Sequence, residues 1–210
     1  QSEDNKLGPF EVASRLSYFL WSSMPDRELF ESARNEGILS PDVLRQQVDR
    51  MLRGPKLEAF VKGFSNSWLR LDKLGSMPVD RDKFREYYRN GLEEAMTEET
   101  HRFLAHAIQA NVPLSDFIHS DYTFLNQDLA RHYGIHGVEG LGFRKVSLPA
   151  NGIRGGLLGQ SSILTLTANG VDTSPVTRGI WVLENLLGTP PPPPPPGFEP
   201  IDPDVRGART

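Results

Sequence analysis

Apolar residues recur at helical spacing along most of the chain. Between residues 56 and 71 they fall at i, i+3, i+4, i+7, i+11 and i+14, which predicts an amphipathic helix with one continuous apolar stripe. Similar stripes predict helices over residues 10–21, 92–110 and 175–187. The chain is therefore predicted to be mainly helical.

Capping residues place the ends of further helices. Ser40, followed by a proline, begins a helix that Gly54 ends, and Asn126 begins one that Gly134 ends. Gly37 is predicted to stop the helix that follows Asp26. Shorter helical stretches are predicted at residues 80–88 and 113–119.

Residues 143–148 carry the strand signal, an imperfect alternation of apolar and polar residues with no evident partner strand. Residues 154–167 are predicted to be helical, with glycines and serines forming a surface that another backbone approaches closely. The predicted fold is all-α, with about eight helices and at most one short strand pair.

The C-terminal part changes character at a run of seven prolines, residues 190–196. Proline fixes φ and has no backbone donor, so this run is predicted to be a polyproline II extension. The predicted organisation is a frayed start at 1–9, a helical domain at 10–188, and a spacer and extended tail at 189–210. A subdivision of the helical domain near 112–150 stays open, as does the choice between spacer and ligand for the prolines.

Composition excludes several classes. The net charge is −4 and no long basic run occurs, which argues against nucleic-acid binding. No apolar run approaches the length of about 20 residues that a membrane-spanning helix needs. The chain has no cysteine, so disulfides, thiolate metal sites and covalent haem attachment are excluded within this segment.

Candidate chemistry rests on polar residues next to apolar stripes. Glu99, a buried acid near His106, is a candidate for a shifted pKa, but a structural contact with an arginine such as Arg15 or Arg178 is the favoured interpretation. If the protein has a small polar site, we expect it near residues 121–136. The candidate residues are Glu99, His106, Asp121, Tyr122, His132, His136 and Arg178.

No metal site and no catalytic constellation are predicted. Glu98 and His101 have the spacing of a di-iron helix, but no second such pair occurs, so a solvated helix face is the better interpretation. His132 and His136 are separated by Gly134, which disrupts the i, i+4 geometry of a shared metal. Residues 151–156 lack the Gly-Lys-Ser/Thr ending of a phosphate loop.

Four stretches carry a family resemblance. They are ASRLSYFLWSSMPD at residues 13–26, DYTFLN with LARHYGI at 121–135, RGGLL at 154–158, and TSPVTRG at 173–179 with the LLGT and proline run that follow. Together they resemble a family of large exported proteins, abundant in planctomycetes, that join domains of unknown function to c-type cytochrome-like modules.

The resemblance implies a context. In that family a proline run and an Asp-Pro-Asp-x-Arg-Gly segment, here 202–207, precede a Cys-x-x-Cys-His haem motif. The resemblance thus implies that this segment holds no cofactor itself and has other domains of a parent chain, including a haem module, as partners. It implies a periplasmic or otherwise exported location, with any signal upstream of this segment. No catalytic residues are carried over.

Two functions remain open. One is a structural or interaction module that positions the haem module. The other is a ligand-binding or enzymatic domain that works with it. The second predicts a pocket where two or more of Glu99, His106, His132 and Arg178 meet, whereas scattered positions favour the first.

Overall fold

The computed structural model describes residues 6–149, 152 and 154–192, and it divides into two compact units. Among these residues, the first unit comprises 6–64 and 104–111, and the second comprises 65–103 and the remainder from 112. The described part has nine α-helices and one antiparallel strand pair, which confirms the predicted all-α fold. Most of the predicted polyproline extension and the first part of the predicted frayed start lie outside the described residues.

The bounds of the elements are as follows. The helices are α1 (Pro9–Trp21), α2 (Arg27–Arg34), α3 (Pro41–Arg53), α4 (Leu57–Leu69), α5 (Leu92–Ala110), α6 (Ser115–Ile118), α7 (Gln127–Tyr133), α8 (Ser161–Leu166) and α9 (Pro175–Asn185). The strands are β1 (Tyr122–Leu125) and β2 (Arg144–Ser147). Short 3₁₀ turns lie at Gly37–Leu39, Leu71–Lys73, Arg85–Tyr88 and Leu157–Gly159.

Capping explains several helix ends. The side chain of Asn126 accepts a hydrogen bond of 3.0 Å from the backbone N–H of Leu129 at the start of α7. Gly134 ends this helix with a φ of +69°, a conformation that glycine adopts without strain. Both ends confirm the prediction. Gly37 does not stop α2, which ends at Arg34, because Gly37 instead begins a 3₁₀ turn.

The first unit is built around the contact of α1 with α2 and α3. Its core contains Leu20, Trp21, Leu29, Ile38 and Met51, all buried. The indole N–H of Trp21 donates to the backbone carbonyl of Met51 over 3.1 Å, so this large side chain is buried without losing its hydrogen bond.

The second unit combines helices with the strand pair. Strand β1 pairs with β2 in the register Tyr122 to Ser147 and Leu125 to Arg144. This supplies the partner that the predicted strand lacked. The indole N–H of Trp181 on α9 donates to the carbonyl of Leu69 over 3.2 Å, which fixes α9 within this unit.

Two predicted helices are wrong in extent. Residues 154–167 form a loop, a 3₁₀ turn and the short helix α8, because Gly156 has a φ of +60° and its N–H donates to the hydroxyl of Ser120 over 3.1 Å. The predicted close backbone approach is present, but a loop makes it. Within residues 80–88 only the 3₁₀ turn Arg85–Tyr88 is helical, since the Asp80 carboxylate accepts from the N–H groups of Asp82 and Lys83 and holds a turn.

Candidate functional site

Glu99 on α5 is fully buried in the second unit. Its carboxyl group accepts hydrogen bonds of 2.5 Å from the hydroxyl of Thr123 on β1 and from the hydroxyl of Tyr133 on α7. These bonds tie one helix, one strand and a second helix to a single acidic group. Its partners are therefore hydroxyls, and neither bond is made by Arg178, one of the two arginines considered from the sequence.

Burial changes the protonation of this group. Removal from water raises the pKa of Glu99 to about 7, although the hydrogen bonds from Thr123 and Tyr133 and the charge of Arg154 act in the opposite direction. Burial, with the adjacent Glu99, also raises the pKa of Tyr133. The tyrosine therefore remains a donor while the carboxyl group titrates near neutral pH.

Tyr133 connects Glu99 to the start of α8. Its hydroxyl also accepts a hydrogen bond of 2.8 Å from the backbone N–H of Ser161. The guanidinium of Arg154 lies over the Tyr133 ring, 3.8 Å from the centroid, and donates to the carbonyl of Gly159 over 2.9 Å. Arg154 lines both the small cavity beside Glu99 and a much larger cleft.

This cleft has a volume of about 650 Å³, within the range of small-molecule sites. Much of the lining is apolar, and this apolar wall consists mainly of Met77, Val79, Phe84, Met96, Leu164 and Val171. The charged residues on its lining are Lys83, Arg85, Glu86, Arg154, Asp172 and Arg178, and His132 joins them. All of these residues belong to the second unit.

Arg178 is held in place from three sides. Its Nε donates to the hydroxyl of Thr167 over 3.1 Å, and its Nη2 donates to the hydroxyl of Thr173 and the carbonyl of Leu164. None of these partners is charged. The side chain is thus positioned while its charge is left uncompensated by any carboxylate among the described residues.

His132 lies partly exposed on the last turn of α7 and lines the cleft. Partial burial of the ring, together with the positive charge of Arg154, lowers the pKa of His132. The imidazole is therefore biased toward its neutral form, which can accept or donate a hydrogen bond.

The structure brings together only part of the predicted set. His132 and Arg178 line the same cleft, and Glu99 lies behind it, linked through Tyr133. His106 falls in the stretch of α5 that belongs to the first unit. Asp121 and His136 are exposed, and neither lines this cleft.

Tyr122 is buried but has a packing role. Its ring stacks on Phe103 at 5.7 Å between centroids, and the Lys145 ammonium lies 3.7 Å from its centroid. Its hydroxyl donates to Asp116 over 3.4 Å. It does not line the cleft.

The spacing of Glu98 and His101 leads to contacts within the helix. The Glu98 carboxylate pairs with Arg102 at 2.7 Å and lies 3.9 Å from the His101 ring. Over residues 6–149, 152 and 154–192, three or more side chains of the metal-binding types do not come together anywhere.

Arg154 and Thr123 were missed as site residues. Arg154 precedes the two glycines of the RGG stretch, and their close approach to residues 117–120 brings Arg154 to this site. The pair of glycines was the signal in the sequence. Thr123 lies on the strand that the sequence did not reveal. Thr100, Gln160 and Ser162 form a further buried set, in which the hydroxyl of Thr100 bonds to each of the other two side chains at 2.7 Å.

Residues 7–135 match the family model PSD4, described as a protein of unknown function (DUF1592). Residues 154–210 match the model PSCyt3, described as a protein of unknown function (DUF1588), and this name is of the cytochrome-associated type. Neither a curated protein nor a solved structure matches the chain. None of the helices that the structure describes is long and apolar enough to cross a membrane.

Proposed function

We propose that the chain, which belongs to the PSD4 family of unknown function, is a ligand-binding module that works beside a c-type haem module of a larger exported protein. The adjacent PSCyt3 match, with its cytochrome-type name, supports the association with a cytochrome. The resemblance to exported planctomycete proteins supports the location and the origin. This segment has no cysteine for thioether bonds, so the proposal assigns the haem to another module.

The convergence of His132, Arg154 and Arg178 on one cleft supports ligand binding. A scattered set of polar residues favours a purely structural module. A concave, mostly apolar space with a few converging polar groups is instead typical of a ligand site. Among the described residues no hydroxyl is hydrogen-bonded to His132, so the proposal is binding and not a particular reaction.

Positioning of the haem module is a second candidate function, and exposed aromatic residues of the first unit favour it. The rings of Phe19, Phe60 and Phe64 follow one another at 5.4 Å between centroids. Phe19 is 66% exposed and Phe64 is 44% exposed. Exposed apolar patches are frequent at protein–protein contacts. The two roles are compatible because they use different units.

Ligand binding can be tested with the neutral fluorescent probe N-phenyl-1-naphthylamine. The variant Val171→Trp fills the cleft with a larger side chain, and we expect it to weaken probe binding at least about tenfold. Val176→Trp makes the same change at a position on α9 that is 73% exposed and serves as the matched control. Equal binding by the wild type and both variants would contradict a ligand site in this cleft.

The haem association is tested on the parent protein. Covalently attached haem survives denaturing electrophoresis and stains by its peroxidase activity. We expect the secreted or periplasmic fraction to contain a stained band of the parent protein, and this segment, matured alone in the same cells, to remain unstained. An unstained parent band would contradict the proposal.

A further inference from the structure

We propose that the cleft selects a small molecule with an apolar body and one acidic group, a carboxylate or a similar oxyanion, which Arg154 and Arg178 bind. The inference rests on the ligand-binding role proposed above and adds the chemical class of the ligand. It is carried by the balance of charges and by the apolar wall.

Arg154 and Arg178 are two of three lining arginines that form no ion pair with a described carboxylate, and Arg85 is the third. In the part of the chain that the structure describes, neither Arg154 nor Arg178 forms an ion pair with a carboxylate. Arg178 uses Nε and Nη2 for uncharged partners, and its Nη1 makes no hydrogen bond to a described residue. A guanidinium with unused donors in a partly buried site is well suited to bind a carboxylate, because the charge strengthens each hydrogen bond.

The acids of the lining are already paired. The Asp172 carboxylate lies 3.7 Å from the ammonium of Lys83, and the Glu86 carboxylate lies 2.9 Å from the guanidinium of Arg89. These pairs reduce the negative charge that would otherwise repel an anion. The lining therefore carries a net positive charge, to which Arg85, Arg154 and Arg178 contribute.

The apolar wall limits the kind of anion. The side chains of Leu164 and Val171 lie on the lining and offer no hydrogen-bonding group, and Met77 and Met96 add only thioether sulfurs, which are weak acceptors. Burying a polyphosphate or a free sugar against such a wall would leave polar groups without partners. A ligand with one acidic group and an apolar remainder matches both parts of the cleft.

The test compares two probes with the same apolar body. 8-Anilino-1-naphthalenesulfonate carries one anionic group, whereas N-phenyl-1-naphthylamine lacks it. We expect the anionic probe to bind the wild-type cleft at least about tenfold more tightly than the neutral probe. Binding to the cleft is taken as the fluorescence that Val171→Trp removes, which corrects for exposed apolar surface elsewhere.

Arginine variants then locate the anion. Arg154→Gln and Arg178→Gln are each expected to weaken the anionic probe about tenfold and to change the neutral probe less than twofold. The unchanged neutral probe shows that the cleft is still folded. Arg45→Gln removes one exposed charge from the first unit and is expected to change neither probe. Arg178→Lys keeps the charge but loses the planar guanidinium with its paired donors. Its affinity for the anionic probe should lie between those of the wild type and Arg178→Gln.

The outcomes separate the two proposals. If both probes bind the wild-type cleft equally, or if Arg45→Gln weakens the anionic probe as much as the cleft variants do, the anionic class is wrong while the ligand site stands. If Val171→Trp removes no fluorescence from either probe, the ligand site itself is overturned.

Discussion

Asp26 in the first unit and Glu99 in the second both tie separate segments together, but their partners differ. Asp26 caps α2 and forms an ion pair with Arg50 on α3 at 2.6 Å. The hydrogen bond from Arg50 lowers the pKa of Asp26. Glu99 is completely buried, has two hydroxyl partners, and has a pKa that burial raises to about 7.

The comparison shows two uses of an acidic residue. In the first unit the charged form stabilises the contact between two helices at the surface. In the second unit the fold favours the neutral form, because a buried carboxylate without an ion pair is costly. An acid retained at this cost next to a cleft is a candidate functional group as well as a structural contact.

The largest expected difference lies in the pH dependence of stability. An acid with a pKa of about 7 in the folded state and 4.5 in the unfolded state stays protonated to a higher pH when the protein is folded. Its contribution to the free energy of unfolding is therefore largest below pH 4.5 and falls by about 3 kcal/mol as the pH rises to about 7. Glu99→Gln removes this titration, so urea unfolding of both proteins between pH 4 and 8 measures the contribution.

The difference between wild type and Glu99→Gln is the relevant quantity, because His132 and the surface acids are common to both proteins. We expect the free energy of unfolding of the wild type to fall relative to that of Glu99→Gln as the pH rises. A difference that stays constant over this range would show that Glu99 is not held in a neutral form.

Glycine substitutions extend the comparison to the backbone. A Cβ at Gly156, where φ is +60°, would lie 2.5 Å from the carbonyl carbon and oxygen of Ile118. We expect Gly156→Ala to lower the free energy of unfolding by about 2 to 3 kcal/mol. Gly63 lies within α4 of the first unit with nothing within 4 Å of the added carbon, so Gly63→Ala should raise it by about 0.5 to 1 kcal/mol. Thermal unfolding of both variants measures these opposite changes in stability. A Gly156→Ala variant as stable as the wild type would contradict the close approach of this backbone to Ile118.

The smallest expected effect concerns Asp26. Asp26→Asn keeps the capping oxygen but loses the charge, and solvent screens the pair, so we expect a loss of about 1 kcal/mol at pH 7. Because the pKa of Asp26 is lowered, this contribution is present above pH 3.8 and is lost as the pH falls through the folded value. Arg34→Gln, at a pair with side chains 71% and 50% exposed, is the control and should cost less than about 0.5 kcal/mol. If Asp26→Asn lowers the free energy of unfolding no more than Arg34→Gln does, the Asp26–Arg50 pair does not stabilise the first unit more than an exposed surface pair.

Local signals predicted the helices well. Helix α5 occupies the predicted residues, and α3 and α7 end at the predicted glycines, because stripes and caps depend on residues a few positions apart. Strand β1 was missed since four residues give little periodicity and their partner, β2, lies about twenty residues further along the chain. The loop at Gly156 follows from contact with residues 117–120, which no local pattern encodes.

The candidate site was predictable in part. His132 and Arg178 stood out because they are polar residues within recognisable motifs, and the structure places both on one cleft. Their convergence with Arg154 depends on how α7, α8 and α9 pack. The partners of Glu99 were not predictable, since Thr123 and Tyr133 lie on elements distant in sequence.

Whether the cleft of the second unit binds a ligand can be measured by a nuclear magnetic resonance titration of the ¹⁵N-labelled chain with octanoate. We expect the largest amide shift changes at Gly170, Val171 and Asp172, together with the side-chain Nε–H of Arg178, and their loss in Val171→Trp. Shift changes confined to residues around Phe19, Phe60 and Phe64, or the absence of any saturable change, would contradict a ligand site in the cleft.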